Sequence, residues 1–162
     1  MPITTKTGDD GFTGSLAGKK HSKCSPEIEL FGSLDELISF LGYASYELEN
    51  KELEDMEKEI QHIFTKVSRM EDIDAELVKE IEKKIEAKEK LLPKMEKFVM
   101  PKGKSSLAHI CRAMARKAER KAVCAYSKKG KANVAVYLNR LSDYLFLIAY
   151  EEAIKRKELT FF

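Results

Sequence analysis

The sequence predicts an all-α fold, a five-helix bundle preceded by a glycine-rich arm. Three observations carry this expectation. Apolar residues recur at three- and four-residue steps almost from Pro26 to the end of the chain, the period of a helix with one buried face. No window alternates apolar and polar residues over more than a few positions, so strands are not expected. The 162 residues include 43% hydrophobic and 35% charged side chains, enough apolar surface for a core and enough charge for long solvated helix faces. A chain of this length fits one domain, which buries roughly two-thirds of its unfolded surface. That single domain divides into an arm over residues 1–24 and a bundle over residues 25–162.

The arm contains TKTGDDGFTGSLAGKKHSK, Thr5 to Lys23, with four of the eight glycines of the chain. Glycine at this density serves a backbone that bends sharply or approaches a ligand closely, and the lysines beside it suit an anion. Composition alone leaves a mobile tail equally open. The first stripe is Leu30, Leu34, Leu37, Ile38, Leu41 and Leu48, a helix from Pro26 to Leu48 with Ser25 as N-cap and Pro26 in its first turn. Leu53, Met56, Ile60, Ile63, Phe64, Val67 and Met70 make the second stripe. Leu77, Ile81, Ile85 and Leu92 make the third, which stops near Pro93. Within it, KEIEKKIEAKEK reads as a solvated face with i,i+4 pairs. Leu107, Ile110, Met114, Ala118, Ala122 and Ala125 make the fourth, followed by Gly130. Val134, Tyr137, Leu138, Leu141, Leu145 and Ile148 make the fifth.

Bulk properties exclude several functions. A net charge of +2 implies no overall attraction to nucleic acid or membrane, so any anion must be held by a local cluster. The three cysteines, Cys24, Cys111 and Cys124, show no CxxC spacing, which speaks against a disulfide framework or zinc site and for the cytoplasm. The first residues lack the order of a signal peptide, and no apolar run approaches the ~20 residues of a membrane span. His21, His62 and His109 show no metal-binding spacing and read as surface or structural residues.

Two segments imitate a phosphate-binding loop, and both fail on spacing. GSLAGKK (Gly14 to Lys20) has three residues between its glycines, and PKGKSS (Pro101 to Ser106) has Phe98 where the first glycine is needed. The fourth helix offers a different anion site. In CRAMARKAER, Arg112, Arg116 and Arg120 recur at i, i+4 and i+8, within one quarter to one third of the helix circumference. Such a row of guanidinium forks suits a triphosphate; a solvated face paired with neighbouring acids is the alternative. On the fifth helix Asn139 and Asp143 stand at i,i+4, placed to meet a ligand or another helix. On the first, Asp35 is placed to pair with an arginine from elsewhere in the chain or from another subunit. The KFVMPKG loop (Lys97 to Gly103) sets Phe98 and Met100 beside Pro101, as buried anchors or as an apolar wall for a large ligand.

Taken together, TKTGDDG, FGSLDELISFLG, FVMPKG leading into HICRAMARKAER, and YLNRLSDYLF resemble the PduO-type ATP:cob(I)alamin adenosyltransferases. These motifs run from Thr5 to Phe146 in the family's order. The resemblance implies a five-helix homotrimer with active sites between neighbouring subunits. It implies transfer of the 5′-deoxyadenosyl group of ATP to the cobalt of a reduced corrinoid, with ATP and cob(I)alamin as substrates, Mg²⁺ carried mainly by the ATP phosphates, and triphosphate as product. Thr5, Lys6, Thr7 and Gly8, continued by Gly11, Thr13 and Ser15, would wrap the phosphates with Lys23. Arg116, Glu119, Arg120 and Asn139 match positions that contact ATP. Asp35 and Arg112 match a salt bridge that joins subunits beside the nucleotide, and with Arg116 they are expected to carry turnover. Phe98 matches the aromatic residue against the lower face of the corrin ring. A corrinoid reductase and an adenosylcobalamin-dependent acceptor enzyme are the partners implied. Three positions depart from the family pattern: Asp10 stands for a lysine, Lys102 for a glycine and Lys117 for an arginine. Few residues follow the fifth stripe, so C-terminal corrinoid contacts of longer relatives are expected to be missing. An ATP-binding regulatory bundle without transferase activity, or an adaptor using its arginine face on a polyanion, would share parts of this pattern.

Overall fold

In the computed structural model, which describes residues 3–4, 6–95, 97, 99–127, 130 and 132–161, five helices form the body of the protein. They are α1 (Pro26–Leu48), α2 (Lys51–Val67), α3 (Ala75–Leu91), α4 (Ser106–Ala125) and α5 (Asn133–Lys155). The bounds of α1 coincide with the expected ones. Ser25 caps it by accepting the Ile28 N–H at 3.4 Å, with Pro26 in the first turn. α4 packs on α1 and on α5, α1 packs on α2, and α3 packs on α5. The core fills the space between them with Leu30, Leu34, Leu37 and Leu41 of α1, Ile60 and Ile63 of α2, and Leu138, Leu141 and Leu145 of α5. Each such side chain contributes roughly 1.5–3 kcal/mol on burial.

Two expectations need correction. The arm contains strands: β1 (Phe12–Gly14) and β2 (Lys20–Ser22) pair antiparallel, with Thr13 opposite His21. Three-residue strands are too short to show a period of two, so the alternation test misses them. The hairpin is closed by Ser15 N–H to the Lys19 carbonyl at 2.9 Å, and Gly18 takes a left-handed φ of 72° at the turn. The buried stripe of α4 is also narrower than its large residues indicate. Ala108, Cys111, Ala115, Ala118 and Ala122 are buried, whereas Ile110 is 40% exposed and Met114 half-buried. Small side chains line the centre of the contact, with Leu107 and Met114 half-buried at its margin and Ile110 outside it.

Two helix starts are capped from distant parts of the chain. The Asp72 carboxylate, between α2 and α3, accepts the N–H groups of Asn133 (2.8 Å) and Val134 (3.0 Å) at the start of α5. Glu158, after α5, accepts those of Lys104 (3.0 Å) and Ser105 (2.9 Å) in the 3-10 turn Gly103–Ser105 that leads into α4. An anion at these orphan amides opposes the positive helix end. Among the described residues, no helix is long and apolar enough to cross a membrane.

Candidate active site

The arm is tied together by its own side chains. Lys23 reaches back over the TKTGDDG turn: a Cβ added to Gly8 would sit 3.1 Å from Lys23 Nζ and 3.3 Å from the Phe12 carbonyl. Glycine at position 8 thus lets the ammonium close on the backbone. Gly11 has φ of 82° and its carbonyl accepts the Lys23 N–H at 2.9 Å. Lys6 has a left-handed φ of 58°. Lys6, Thr7 and Gly11 are exposed, and Gly8, Thr13 and Ser15 are half-buried. Thr5 lies outside the described residues. Asp10 accepts the Phe12 N–H at 3.2 Å and Lys20 Nζ at 2.7 Å. Lys20, and then the Phe12 amide, hold its carboxyl below the usual carboxylate range. Its charge is thereby spent inside the hairpin, where Lys20 also stands 5.1 Å above the Phe12 ring.

Two cavities lie between α4 and α5, and Arg112 and Arg116 of the arginine row line the first. The first, of about 630 Å³, is lined by Val99 and Pro101 from the loop, His109, Arg112 and Arg116 from α4, and Ser142, Asp143 and Phe146 from α5. One side is apolar and the other carries two guanidinium groups. The second, of about 650 Å³, is lined by Glu119, Val123 and Tyr126 at the end of α4 and by Val136, Asn139 and Arg140 on α5, among others. Asn139 and Asp143, one turn apart on α5, therefore face different cavities. Phe98, whose neighbour Val99 is buried in the first wall, lies outside the described residues.

Hydrogen bonds fix the second cavity and leave the first open. Asn139 Nδ2 donates to Glu119 Oε1 at 3.1 Å, and Arg140 Nη1 donates to Asn139 Oδ1 at 2.6 Å. Arg140 Nε in turn pairs with Glu82 of α3 at 3.0 Å. This relay orients the Asn139 amide and holds Glu119 half-buried. Arg120 Nη1 folds back to the Arg116 carbonyl at 2.9 Å. In the first cavity Arg112 Nε and both ring nitrogens of His109 are buried without a hydrogen-bond partner among the described residues. His109 is 4% exposed and packs edge-on against Phe146, with ring centroids 5.8 Å apart. Burial, and then the nearby Arg112 charge, push its pKa down to about 4, so the imidazole is neutral at pH 7. Buried polar atoms left unpaired cost about 1–3 kcal/mol each. Such a cost is tolerated where a ligand or second chain supplies the partner.

Several expected groupings do not form within one chain. Among the described residues, Asp35 makes no ion pair and none joins it to Arg112. The hairpin, Asp10 and Lys23 bond within the arm itself, through the contacts described above, and not to α4 or α5 among the described residues. α1 and α4 are instead bridged by Lys117 to Glu36 at 2.7 Å and Lys121 to Glu29 at 2.8 Å. Lys117, where the family pattern has an arginine, is thus committed to α1. These bridges set the start of α1, and the arm before it, at the same end of the bundle as Glu119 and Asn139. His109, Ser142, Phe146 and Arg140 were not reached from the sequence as site residues. Their one signal was position: all stand within four residues of Arg112, Asn139 or Asp143. Among the described residues, no group of three His, Cys, Asp or Glu side chains could hold a metal ion.

Residues 3–152 match the family described as Cobalamin adenosyltransferase. The chain is 39% identical over 165 residues to the corrinoid adenosyltransferase of Bacillus subtilis, covering 92% of this chain and 85% of that protein. It is 34% identical over 173 residues to the corrinoid adenosyltransferase MMAB of Bos taurus, covering 94% of this chain and 72% of that protein. A variant PduO-type ATP:corrinoid adenosyltransferase from Lactobacillus reuteri, solved with cobalamin and ATP, superposes with a TM-score of 0.80 at 26% identity. That alignment covers 99% of this chain and 97% of the other.

Proposed function

The chain belongs to the cobalamin adenosyltransferase family, and from that membership we infer how its two cavities and its arm transfer the 5′-deoxyadenosyl group of ATP to a reduced corrinoid. The observation that carries this reading is the pair of adjoining cavities along α4 and α5, one apolar and cationic, the other lined by Glu119 and Asn139. The first takes the corrinoid against Val99, Pro101 and Phe146, with Phe98 at the lower face of the ring. The second takes ATP, with Glu119 and Asn139 holding the nucleoside and Arg116 and Arg120 reaching the phosphates. Arm residues Thr5, Lys6, Thr7, Gly8, Gly11, Thr13, Ser15 and Lys23 fold over the triphosphate.

The chemistry asks little of the protein's own nucleophiles. The cobalt lone pair of cob(I)alamin attacks C5′ of ATP, the cobalt–carbon bond forms, and the C5′–O bond breaks with its electron pair leaving on triphosphate. The corrinoid, as substrate, brings the nucleophile. The protein aligns the two reactants and stabilises the charge growing on the leaving group. Cys111, buried and pushed up to about 12 by that burial, is no competing thiolate. Mg²⁺ enters on the ATP phosphates as part of the substrate.

A homotrimer completes the site. The unpartnered Arg112 Nε and the Asp35 carboxylate without an ion pair support a salt bridge between neighbouring copies. The bonding of the hairpin and Lys23 within the arm, and not to their own α4 and α5, supports closure of the arm over a neighbour's helices. A cytoplasmic setting, a reductase that supplies cob(I)alamin and an acceptor that uses adenosylcobalamin follow from the same chemistry.

The test is anaerobic incubation of the protein with ATP, Mg²⁺ and cob(I)alamin, following the adenosylcobalamin spectrum and released triphosphate. Wild type forms both products, and Arg116→Ala loses about 10²–10³ in kcat, the effect of removing one donor to a developing anion. Wild-type product no greater than the enzyme-free control contradicts the reading. An Arg116→Ala variant of full activity reduces the arginine row to a solvated face.

A further inference from the structure

After α5 the chain turns back on itself. Lys157 takes a left-handed φ of 56°, and the Glu158 N–H returns to the Ala153 carbonyl at 2.9 Å. The tail then runs along the loop before α4. Glu158 Oε1 accepts the Lys104 N–H at 3.0 Å and Oε2 accepts the Ser105 N–H at 2.9 Å. The Thr160 carbonyl accepts the Met100 N–H at 2.8 Å, and Phe161 bridges Val99 antiparallel. Ser105 Oγ closes the turn on the Lys102 carbonyl at 2.7 Å. One carboxylate and one stretch of tail thus hold the segment 99–105 at both ends.

Gly103 reports how close this contact is. Its φ is +59°, and a Cβ there would lie 2.3 Å from Glu158 Cδ and Oε1. Any side chain at position 103 would force the carboxylate off the turn. The clasp also bears on the site: Val99, 5% exposed, and Pro101 wall the cavity that contains Arg112 and Arg116. The same amides open the helix that carries those arginines.

We propose that Glu158 is a positioning residue for the corrinoid: by clasping the Lys104 and Ser105 amides it sets Val99 and Pro101 as the apolar wall of the Arg112–Arg116 cavity. It acts on corrinoid capture and not on ATP: of the residues assigned to ATP on α4 and α5, only Arg116 lines this cavity, and Glu119, Arg120 and Asn139 do not. This rests on the reading that the first cavity takes the corrinoid. Lys102, in the loop where the family pattern has glycine, leaves Gly103 as the glycine the clasp requires.

The experiment is steady-state kinetics of the full chain, varying cob(I)alamin and ATP separately, with thermal melting alongside. Glu158→Ala raises the corrinoid KM about tenfold, on the scale of hydrogen bonds to a charged acceptor, and leaves the ATP KM within about twofold. Glu158→Gln, which keeps the shape but only one acceptor oxygen, gives a smaller rise and guards against an alanine variant that fails to fold. Gly103→Ala gives the same selective rise without altering Glu158. The double variant is no worse than the more affected single one, because both remove one contact. An active wild type whose variants show unchanged corrinoid KM, or equal rises for both substrates, overturns the proposal and leaves Glu158 as a helix cap. A wild type that makes no product removes the functional reading and this inference with it.

Discussion

His109 is the residue at which burial and chemistry conflict most openly. It is 4% exposed, both ring nitrogens lack partners, and it shares its cavity with Arg112, Arg116 and Asp143. Its pKa falls from 6.5 to about 4, so between those values the unfolded chain binds a proton that the folded chain refuses. Stability therefore falls as pH drops from 6.5 toward 4. His109 accounts for about 2 kcal/mol of the loss between pH 7 and pH 5. In urea titrations at the two pH values, His109→Leu shows a difference smaller than wild type by that amount. An unchanged difference would mean that the imidazole is already charged or solvated in the folded protein. Little of this was legible in the sequence. The helical period places Arg112 and Arg116 on one face of α4, where they line one cavity, because periodicity is a local property. The unpaired state of His109 and the divergence of Asn139 and Asp143 depend on which helix lies opposite, which no spacing within one helix records.

The elements divide into those held mainly by apolar contact and one in which charge adds to it. α3 fully buries only Ile81 and Lys88 and packs the half-buried Leu77, Val78 and Ile85 against the core. Lys88 reaches Glu52 of α2 at 2.9 Å and Glu151 of α5, while Tyr144 donates to Glu52. Tyr137 of α5 donates to Glu59 of α2 at 2.9 Å, and Glu59 pairs with Lys84 of α3. These side chains close the bundle where α2, α3 and α5 meet. Removing the cation leaves two carboxylates facing each other, partly exposed, so Lys88→Met costs about 2 kcal/mol, below the 3–5 kcal/mol of a fully buried pair. Chemical denaturation checks this, and a loss under about 0.5 kcal/mol would mark Lys88 as a solvated surface charge. From the sequence, KEIEKKIEAKEK reads as a solvated face with local pairs. Lys79 pairs locally, but at i,i+3 with Glu76 just before the segment, while Lys88 and Lys84 turn to other helices. The reach of a lysine is as long in one direction as in the other, so composition cannot tell them apart. The hairpin was missed for a related reason: Asp10–Lys20 and the Gly18 turn make it, and strands of three residues leave no period.

For the molecule as a whole, the helix order follows from the apolar stripes, and the order of motifs points to the family that the match over residues 3–152 shows. The proposed composite site is less legible, since its arm and its helices do not bond to each other among the described residues of one chain. The hairpin and Lys23 bond within the arm, Asp35 makes no ion pair among the described residues, and Arg112 Nε is buried without a partner. In the proposed trimer each ATP lies between the arm of one copy and α4 and α5 of the next. Two variants that are separately inactive must then complement each other, Lys23→Ala damaging the arm and Arg116→Ala damaging the helix. The most direct measurement is adenosylcobalamin formation by mixed oligomers of the two, produced by co-expression with different tags and purified through both. A site shared between copies gives activity well above either parent, because some interfaces join an intact arm to an intact α4. Mixed oligomers no more active than the parents would contradict it, placing the arm and the arginines of each site on one chain.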